Sequence, residues 1–417
     1  MQKKVKIQNV ICVLIIFIIS YSCNNDKAKR EKFQLESFKI DPGLAQKLSI
    51  GNIYIDEEKI PLATADTCLV DIISQLHVTN NRFYLLTDNQ RVFSFSKQGD
   101  LIYLIDKQGK GPAEYVYPMC LYVNPDDQFL EIYNRGSKNV VVIDKKGNYI
   151  SDWNYDLYIT KATHYKNMTC MLVGSEINYI DGKECNMQLY VYDSLHNLYS
   201  SYIPFNKEFW KFLGVGGRID MVHIDDNLHV RVMFNDTVYC LSKKDNKLKL
   251  QPKYLFDFGK YSIPEHLFHK GFADCSEFGY AMDKYDCIQN LFRYTETDEH
   301  IYFAFEMNRT LYHFFYSKRK KQAKIIDKLI IPFNGFIYER ELQYYDIPNL
   351  THGNYFYFVV ESDDYIKEME RIRKYLGENK WKDFQKNNKE YCDFVKALNF
   401  MDNPIVVKRK INHALFN

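Results

Sequence analysis

The chain has 417 residues, with 55 Lys and Arg against 53 Asp and Glu and a formal net charge of +2. This balance supplies no extended basic surface, so the sequence predicts no nucleic-acid partner. Aromatic residues make up 16% of the chain, chiefly as 34 Tyr and 29 Phe. Such a bias is typical of β-strands on half-buried surfaces, and stacking on sugars or peptides is the alternative use of the rings.

The N-terminal residues have the layout of a secretory signal peptide, which we predict over residues 1–22. Three lysines within the first six residues precede an unbroken apolar run at residues 10–19. The run is too short for a transmembrane helix, which needs about 20 residues. Cys23 directly follows a small residue, as in a bacterial lipobox, so we predict that Cys23 is acylated after cleavage. An ordinary cleaved signal with an incidental cysteine is the alternative.

Residues 23–34 are polar and charged and have no apolar period. They predict a flexible tether between the acyl anchor and a folded body that starts at residue 35. The predicted partner at this end is therefore a membrane, which the chain contacts through its N-terminal lipid. The predicted location is the cell envelope, as an outer-membrane lipoprotein that faces the periplasm or the cell exterior.

Ten cysteines are present, and eight of them fall after Cys23. No CxxC pair occurs, so a zinc site is not expected and the sequence predicts no metal and no cofactor. Cysteines such as Cys170 and Cys240 lie in apolar strand-like runs, where the thiol behaves as a small hydrophobic group. An exported chain can still oxidise some pairs, and Cys275 with Cys287 is the first pair to test.

The body repeats a short strand, a turn and a second strand. The matching first apolar positions are separated by 48, 49, 49 and 73 residues, and the last step contains an insertion around residues 252–295. The hairpins occupy residues 91–105, 139–153, 188–202, 237–251 and a looser copy from residue 310. Each hairpin is preceded by another strand-like segment. Six such segments occur, at residues 82–87, 128–134, 168–175, 228–234, 300–306 and 354–361.

A period of 45–50 residues with about four strands is typical of a β-propeller blade, because one blade cannot bury both of its faces alone. Six copies predict an all-β fold, a six-bladed β-propeller. Early strands at residues 50–55 and 60–62 and a late strand at residues 404–411 are expected to share one blade, which closes the ring without free sheet edges.

Residues 363–400 interrupt the strand pattern with apolar residues at steps of three and four. They predict a C-terminal helical hairpin, with Asp363 and Asp364 at the start of the first helix and Gly377 at its end. Asn379 is the candidate cap of the second helix. We expect the hairpin to pack on the side of the last blade, and a partner-binding arm is the alternative.

Two segments carry a resemblance to a known family: IPLATADTCLVDIISQLHV at residues 60–78 and KQGDLIYLIDKQGKGPAEY at residues 97–115. The second ends in a G-x-G-P-x-E-Y turn, and the late segment 402–407 resembles the family's closing strand. From about residue 35 to 412 the chain resembles the six-bladed β-propeller lipoproteins of Gram-negative bacteria, which are related in architecture to NHL-repeat propellers. The resemblance implies fold and location, and the family has no established activity.

Two glycine-rich loops are the candidate ligand-binding segments. Gly109, Gly111 and Pro112 suit a structural turn between blades, because no helix and no Lys-Ser or Lys-Thr follows them as a phosphate loop requires. Glu114 in that turn is a candidate ligand-binding residue. Arg218 follows Gly216 and Gly217 and is the second candidate, for an anionic ligand, with a structural salt bridge as the alternative.

Three histidines are candidate metal ligands. His266 and His269 share a face if they lie on a helix, but two histidines without a third ligand also suit a polar surface. His223 with Asp225 and Asp226 offers nitrogen and oxygen ligands to a cation, but their position between two strands predicts first that the two aspartates form a turn. No nucleophile, zincin or EF-hand signature is present in the sequence.

The sequence favours a lipid-anchored ligand-binding or scaffolding propeller whose partner is a protein, a peptide or a glycan. The alternative is a metal-assisted lyase or hydrolase that acts on an extracellular peptide or glycan, so the chain is more readily interpreted as a binding protein than as an enzyme. Three or more His, Asp or Glu side chains that converge near the axis would favour the enzyme.

Overall fold

The repeated hairpins form because apolar residues alternate along each strand and a turn residue with positive φ joins the strands. Gly99 and Gly147 occupy equivalent turns with φ of 92° and 88°. The computed structural model describes residues 35–174, 176–205, 219–244, 247–270 and 272–417. Residues 37–417 form one unit and the chain before them a separate one. The predicted signal peptide, Cys23 and the tether lie outside the described residues.

Three antiparallel sheets of four strands follow one another in the first half of the body. Sheet 1 contains β4 (Ile73–Val78), β5 (Arg82–Thr87), β6 (Val92–Ser96) and β7 (Leu101–Ile105). Sheet 2 contains β8 (Pro118–Val123), β9 (Phe129–Asn134), β10 (Asn139–Asp144) and β11 (Tyr149–Asn154). Sheet 3 contains β12 (Ile159–Tyr165), β13 (Met168–Val173), β16 (Met187–Tyr192) and β17 (Leu198–Pro204), and a separate hairpin pairs β14 (Asn178–Ile180) with β15 (Lys183–Cys185).

Each of the three further sheets contains one strand from the N-terminal segment of the chain. Sheet 4 contains β18 (Asp220–Ile224), β19 (Asn227–Arg231), β20 (Thr237–Lys244), β21 (Lys247–Asp257) and β1 (Glu36–Lys39). Sheet 5 contains β22 (Ile288–Glu296), β23 (His300–Met307), β24 (Thr310–Ser317), β25 (Gln322–Phe333), β26 (Phe336–Glu341) and β2 (Gln46–Ser49). Sheet 6 contains β27 (Leu350–His352), β28 (Tyr355–Val360), β29 (Ile405–Ile411) and β3 (Tyr54–Pro61).

The sheets are joined by hydrophobic cores that each belong to two neighbours in chain order. The core between sheets 6 and 1 completes the cycle, with Ile60, Tyr357 and Val406 packed against Phe83 and Phe93. The first strands of neighbouring sheets also contact one another, and β27 of sheet 6 contacts β4 of sheet 1. Sequential antiparallel sheets whose first strands surround one axis form a β-propeller.

The N-terminal segment crosses three sheets. Phe38 on β1 packs among four aromatic rings of sheets 4 and 5, with its centroid 4.6 Å from that of Tyr316 at the nearest. β2 pairs in parallel with β25, and β3 pairs antiparallel with β29. Residues 50–53, predicted as part of a strand, form the helical turn α1 (Ile50–Ile53), because the chain turns here from sheet 5 to sheet 6.

Besides α1, α-helices of the described chain lie in two connections. A short pair, α2 (Glu265–His269) and α3 (Cys275–Met282), lies between sheets 4 and 5. The longer α4 (Ser362–Asn387) and α5 (Lys389–Lys396) lie between β28 and β29, and α4 breaks at Gly377, where φ is 71°. No helix among the described residues is long and apolar enough to cross a membrane.

The C-terminal helices contact the last sheet, as expected, since the Lys59 ammonium of β3 lies over the rings of Tyr365 and Phe394, and they also pack on sheet 5. Trp381, Phe384 and Ile372 pack with Tyr338 and Phe333 of the β25–β26 hairpin, which extends sheet 5. Part of the helical apolar face does reach the core between sheets 5 and 6. The helices cover β26, which pairs with β25 outside the main strand order of sheet 5.

Candidate functional site

A cavity of about 880 Å³ lies on the axis of the propeller, and all six first strands line it. Its size falls within the range of small-molecule sites. Side chains that can donate or accept hydrogen bonds come from the strands of five sheets, whereas the first strand of sheet 2 lines the cavity with Pro118 and Met119. The polar side chains on the lining include Ser74, Gln75, His77, Thr87, Gln90, Thr160, Lys161, Thr163, Asp220, His223, Arg293, Thr295, Asn349, Thr351 and His352.

Lys161 on β12 is the cavity's central cation. Its ammonium lies 4.0 Å from Oδ1 of Asp220 on β18, and 34% of its side chain is accessible because it faces the cavity. Burial lowers the pKa of Lys161; the carboxylate of Asp220 opposes that shift, and the charge of Arg293 adds to it. No hydrogen bond to the Lys161 ammonium is found among the described residues, so this cation is available to a ligand.

Asp220 is already engaged by another cation. Its Oδ2 accepts hydrogen bonds from Nε and Nη2 of the buried Arg231, at 3.0 and 2.7 Å. The backbone N–H of Tyr294 donates to the same oxygen at 3.3 Å. Arg231 therefore compensates the carboxylate directly, since charge-assisted contacts with a buried guanidinium are stronger than a 4.0 Å contact with Lys161.

Arg293 enters the cavity from an irregular point of β22. The register with β23 shifts between Phe292 and Thr295, and Arg293 has a φ of 49°. A β-bulge of this kind turns a side chain away from the regular pleat, and positive φ is costly for a residue other than glycine. Nη1 of Arg293 donates to the carbonyl of Asn349 at 3.3 Å. The strained backbone thus places a guanidinium on the cavity wall.

Three histidines on the lining are held in the neutral form. Burial lowers the pKa of His77 to about 4, and the charge of Lys161 contributes to that shift. Burial also lowers the pKa of His223 and of His352. Their Nε2 atoms lie 3.4, 3.0 and 3.0 Å from the side-chain oxygens of Gln75, Thr163 and Asn80, in that order. Neutral imidazoles offer both a donor and an acceptor to a ligand.

The mouth of the cavity carries an exposed aromatic ring. Tyr117 is 55% exposed and has a φ of 57°, which is unusual for a bulky residue. Its N–H donates to Oε1 of Gln90 at 2.9 Å, and its carbonyl accepts from the N–H of Arg135. The Arg135 guanidinium pairs with Glu176. These contacts fix the backbone of Tyr117, whose exposed side chain lies on the cavity lining.

The candidate loop around Glu114 lies outside the set of residues that line the cavity. Oε2 of Glu114 accepts a hydrogen bond from the N–H of Gly111 at 2.7 Å. A Cβ on Gly109 would come within 2.0 Å of that same oxygen, so this glycine leaves room for the carboxylate. Pro112 lies in the same turn. Arg218 and its preceding glycines lie outside the described residues.

The remaining candidate metal ligands do not line the cavity: His266 and His269 lie on a short helix, and Asp226 lies in a turn. His266 Nε2 lies 3.0 Å from the hydroxyl of Tyr285, and His269 lies 3.9 Å from Glu265 one helical turn away. Asp226 accepts from the Lys166 ammonium at 2.6 Å in the β18–β19 turn. In the described part of the chain, no three His, Cys, Asp or Glu side chains converge in a way that could hold a metal ion.

Cys287 is a free thiol, and its sulfur donates to the carbonyl of Met282 at 3.8 Å. The Cys275 side chain, its proposed partner, lies outside the described residues. Cys68, Cys120, Cys170, Cys185, Cys240 and Cys392 are also free. Burial raises the pKa of Cys120 and of Cys170 to about 12, so these two thiols are protonated and unreactive near neutral pH.

Sequence reasoning missed the first strands, and with them the residues that matter most in the cavity. Lys161 and Thr163 stand in ITKATHY, whose burial does not alternate regularly. The available signal was a short segment that is separated from each second strand by two to five residues. Its recurrence before every second strand would have indicated one further, axis-facing strand in each repeat.

Comparisons with known proteins agree with this geometry. A family model described as "Domain of unknown function (DUF4934)" matches residues 38–410. No curated protein matches the chain. A protein of Bacteroides fragilis NCTC 9343, described as exported, has a TM-score of 0.69 at 18% identity and covers 91% of this chain and 99% of its own. A member of the DUF4221 family from Bacteroides vulgatus ATCC 8482 has a TM-score of 0.48 at 11% identity and covers 86% and 97%. At such identity the first likeness shows the fold alone.

Proposed function

We propose that this chain, which belongs to the DUF4934 family of domains of unknown function, is a six-bladed β-propeller of the cell envelope that binds a ligand in its axial cavity. Six blades are supported by the six sheets of four or more strands among the described residues and by the six cores between them. Each blade contributes its first strand to the lining, so the binding site belongs to the whole ring.

The observation that carries this proposal is the composition of the cavity wall. A packed structural core excludes polar atoms or satisfies them internally, because an unpaired buried polar group costs free energy. Here Lys161, three neutral histidines and several hydroxyl and amide side chains face a space of about 880 Å³. A preformed pocket with a few fixed polar groups is the usual design of a small-molecule site.

The proposed location is the cell envelope, with Cys23 acylated and residues 23–34 as a tether. The sequence of residues 1–23 supports this placement. The Bacteroides fragilis protein that shares the fold is described as exported, which agrees with it. The candidates Glu114 and Arg218 remain predictions for a ligand that also contacts the loops, and Glu114→Gln and Arg218→Gln are the variants that test them.

A ligand screen tests the proposed function. Protein that lacks residues 1–23 is mixed with monosaccharides, sugar acids, sugar phosphates, dipeptides and nucleosides, and its unfolding temperature is measured. A ligand at 100 times its Kd stabilises the folded state by about 2.7 kcal/mol, which raises the unfolding temperature by degrees.

Thr160→Phe provides the blocked cavity, because Thr160 lines the space and phenylalanine suits a strand. Ser151→Phe on the exposed outer strand β11 is the matched control. We expect Thr160→Phe to abolish the temperature shift and Ser151→Phe to preserve it. A screen without any shift, or shifts that survive Thr160→Phe, would contradict binding in the axial cavity.

A further inference from the structure

We propose that the ligand of the axial cavity is a glycan, whose end sugar enters the cavity while a neighbouring sugar stacks on Tyr117 and Tyr158. This inference rests on the proposed function and specifies the class of its ligand. We call Tyr117, Arg135, Tyr158 and Glu176 the aromatic rim. Three of these residues line the cavity, and the Tyr158 ring lies beside the fourth wall contact, the guanidinium of Arg135.

Arg135 connects the two tyrosines of the aromatic rim. Its backbone N–H donates to the carbonyl of Tyr117 at 3.0 Å, and its guanidinium lies 5.9 Å from the centre of the Tyr158 ring. Both tyrosine side chains are exposed, although they are large. Exposed rings beside a cavity offer flat apolar surfaces on which the C–H face of a sugar can pack, and a tyrosine hydroxyl adds a polar group at the edge of the ring.

The protein holds both tyrosines in place before any ligand binds. Tyr117 has a φ of 57°, and its N–H donates to Oε1 of Gln90 at 2.9 Å. Strained backbone of this kind clusters at ligand-binding sites. The Lys138 ammonium lies 3.9 Å from the centre of the Tyr158 ring, and the N–H of Tyr158 donates to Oδ1 of Asn178. Rings that are already held lose little conformational freedom when a ligand stacks on them.

The cations that flank the Tyr158 ring have partners within the protein. The Arg135 guanidinium pairs with Glu176, and the Lys138 ammonium donates to the carbonyl of Asp156 at 2.8 Å. Ion pairs near the surface gain little from a further charge, because solvent screens them. The aromatic rim therefore gives a charged ligand little advantage over a neutral one.

The cavity behind the aromatic rim presents polar groups that a sugar can pair. Within the described part of the chain, no acceptor is found for the side-chain amide N–H groups of Gln90 and Asn349 or for the hydroxyl of Thr160. The neutral imidazole of His77 can both donate and accept. A hydroxyl does the same, whereas a peptide N–H only donates and a peptide carbonyl only accepts. A molecule with many hydroxyl groups therefore suits this lining better than a peptide.

The size of the cavity allows for more than one sugar ring. Its volume of about 880 Å³ lies near the upper end of the range of about 300–1,000 Å³ for small-molecule sites. A single sugar would leave much of this space to water. An oligosaccharide that extends from the cavity to the aromatic rim gains the hydrogen bonds of the lining and the stacking on the tyrosines together.

Isothermal titration calorimetry on protein without residues 1–23 tests the dependence on chain length. The probes are maltotetraose, cellotetraose, mannotetraose, xylotetraose and chitotetraose, each beside its own monosaccharide, with a tetrapeptide of alanine, serine and threonine as the peptide probe. We expect at least one tetrasaccharide to bind ~10-fold or more tightly than its monosaccharide, as two added stacking contacts predict.

Tyr117→Ala and Tyr158→Ala should each weaken the binding of that tetrasaccharide ~3- to 10-fold, as expected for one lost stacking contact, and should weaken the monosaccharide less. Tyr117→Phe and Tyr158→Phe keep the rings and should restore most of the affinity. Tyr199→Ala is the matched control, because Tyr199 is also an exposed tyrosine but lies on the outer strand β17, and it should bind like the parent.

Three results would overturn the inference: no binding of any tetrasaccharide, a tetrasaccharide that binds no more tightly than its monosaccharide, or unchanged affinity when both tyrosines are replaced by alanine. Binding of the tetrapeptide without binding of any sugar would assign the site to a peptide instead. The proposed function fails separately. A ligand other than a sugar whose binding is lost in Thr160→Phe but kept in both alanine variants would preserve the cavity as a binding site and refute the glycan, whereas a screen and a panel without any binding refute both.

Discussion

Replacing Glu296 with glutamine should destabilise the propeller by breaking a buried charge network between sheets 4 and 5. The Glu296 side chain is 0% exposed. Its Oε2 accepts from Nδ1 of His229 at 2.6 Å, and its Oε1 accepts from the hydroxyl of Tyr254 at 3.0 Å and lies 2.6 Å from the Lys318 ammonium. The hydroxyl of Tyr294 also donates to Oε2.

The size of the effect follows from the two coupled pKa values. Burial alone would lower the pKa of His229, but its hydrogen bonds to Cys240 and Glu296 and the charge of Glu296 raise it to about 9. Burial likewise opposes ionisation of Glu296, and His229 and Lys318 lower its pKa to about 2. A pKa shift of this size in either group corresponds to about 3 kcal/mol of folding free energy. This lies within the range measured when one partner of a buried ion pair is removed.

The directions of the two pKa shifts determine how the stability loss depends on pH. The folded pKa of His229 is raised, so its contribution is complete below pH 6.5 and is lost as the pH rises through about 9. The folded pKa of Glu296 is lowered, so its contribution is present above pH 4.5 and is lost as the pH falls through about 2. The stability difference between the parent and Glu296→Gln should therefore be largest near pH 5–6.5 and smaller at pH 9, where Lys318 still holds part of it.

Urea unfolding at pH 6 and pH 9 measures this difference. Glu58→Gln is the control, because Glu58 is 55% exposed and its pair with Lys408 should contribute at most about 1 kcal/mol. A loss below about 1 kcal/mol for Glu296→Gln at pH 6 would refute the reasoning. An equal loss at pH 6 and pH 9 would show that His229 is not the partner that matters.

Three further perturbations test the N-terminal segment and the turns. Phe38→Ala should cost about 3–5 kcal/mol in urea unfolding, whereas Leu44→Ala, 68% exposed on the same segment, should change stability little; equal effects would contradict the docking of β1. Gly99→Ala should cost at least about 1 kcal/mol more than Gly147→Ala, because both have positive φ but only a Cβ on Gly99 meets the β3 backbone, at 2.1 Å; equal melting temperatures would refute that contact. Cys23→Ser should release the full-length protein from the membrane fraction and abolish acyl labelling, and an unchanged labelled product would refute the anchor.

The second and third strands of each sheet could be predicted from sequence because both of their faces are buried between neighbouring sheets. Phe83, Leu85, Val92 and Phe93 lie at or below 1% exposure, so apolar residues mark these strands. A first strand both lines the cavity and packs into a hydrophobic core. In β12, the cavity-lining Lys161 is therefore followed by the buried Ala162. The positive φ of Arg293 depends on a register shift that local sequence does not encode.

The pairing of the N-terminal segment also escaped sequence reasoning, for a different reason. β1 and β2 are four residues each, too short to show a clear alternation. Their partners lie far along the chain, as Gln46 pairs with Ile326. For this segment, sequence motifs predicted only that both chain ends share the last sheet. This prediction is confirmed, because Ile60 pairs with Val406.

The order of synthesis gives this N-terminal segment a further consequence. β1, β2 and β3 leave the ribosome before β21, β25 and β29, the strands on which they dock. Closing such long loops is slow, because chain entropy is lost before the distant contacts form. Until β21, β25 and β29 are made, the strands of the N-terminal segment have no partner strand in this chain and can pair with other chains. The strands that are made first therefore dock only after more than half of the chain has been synthesised.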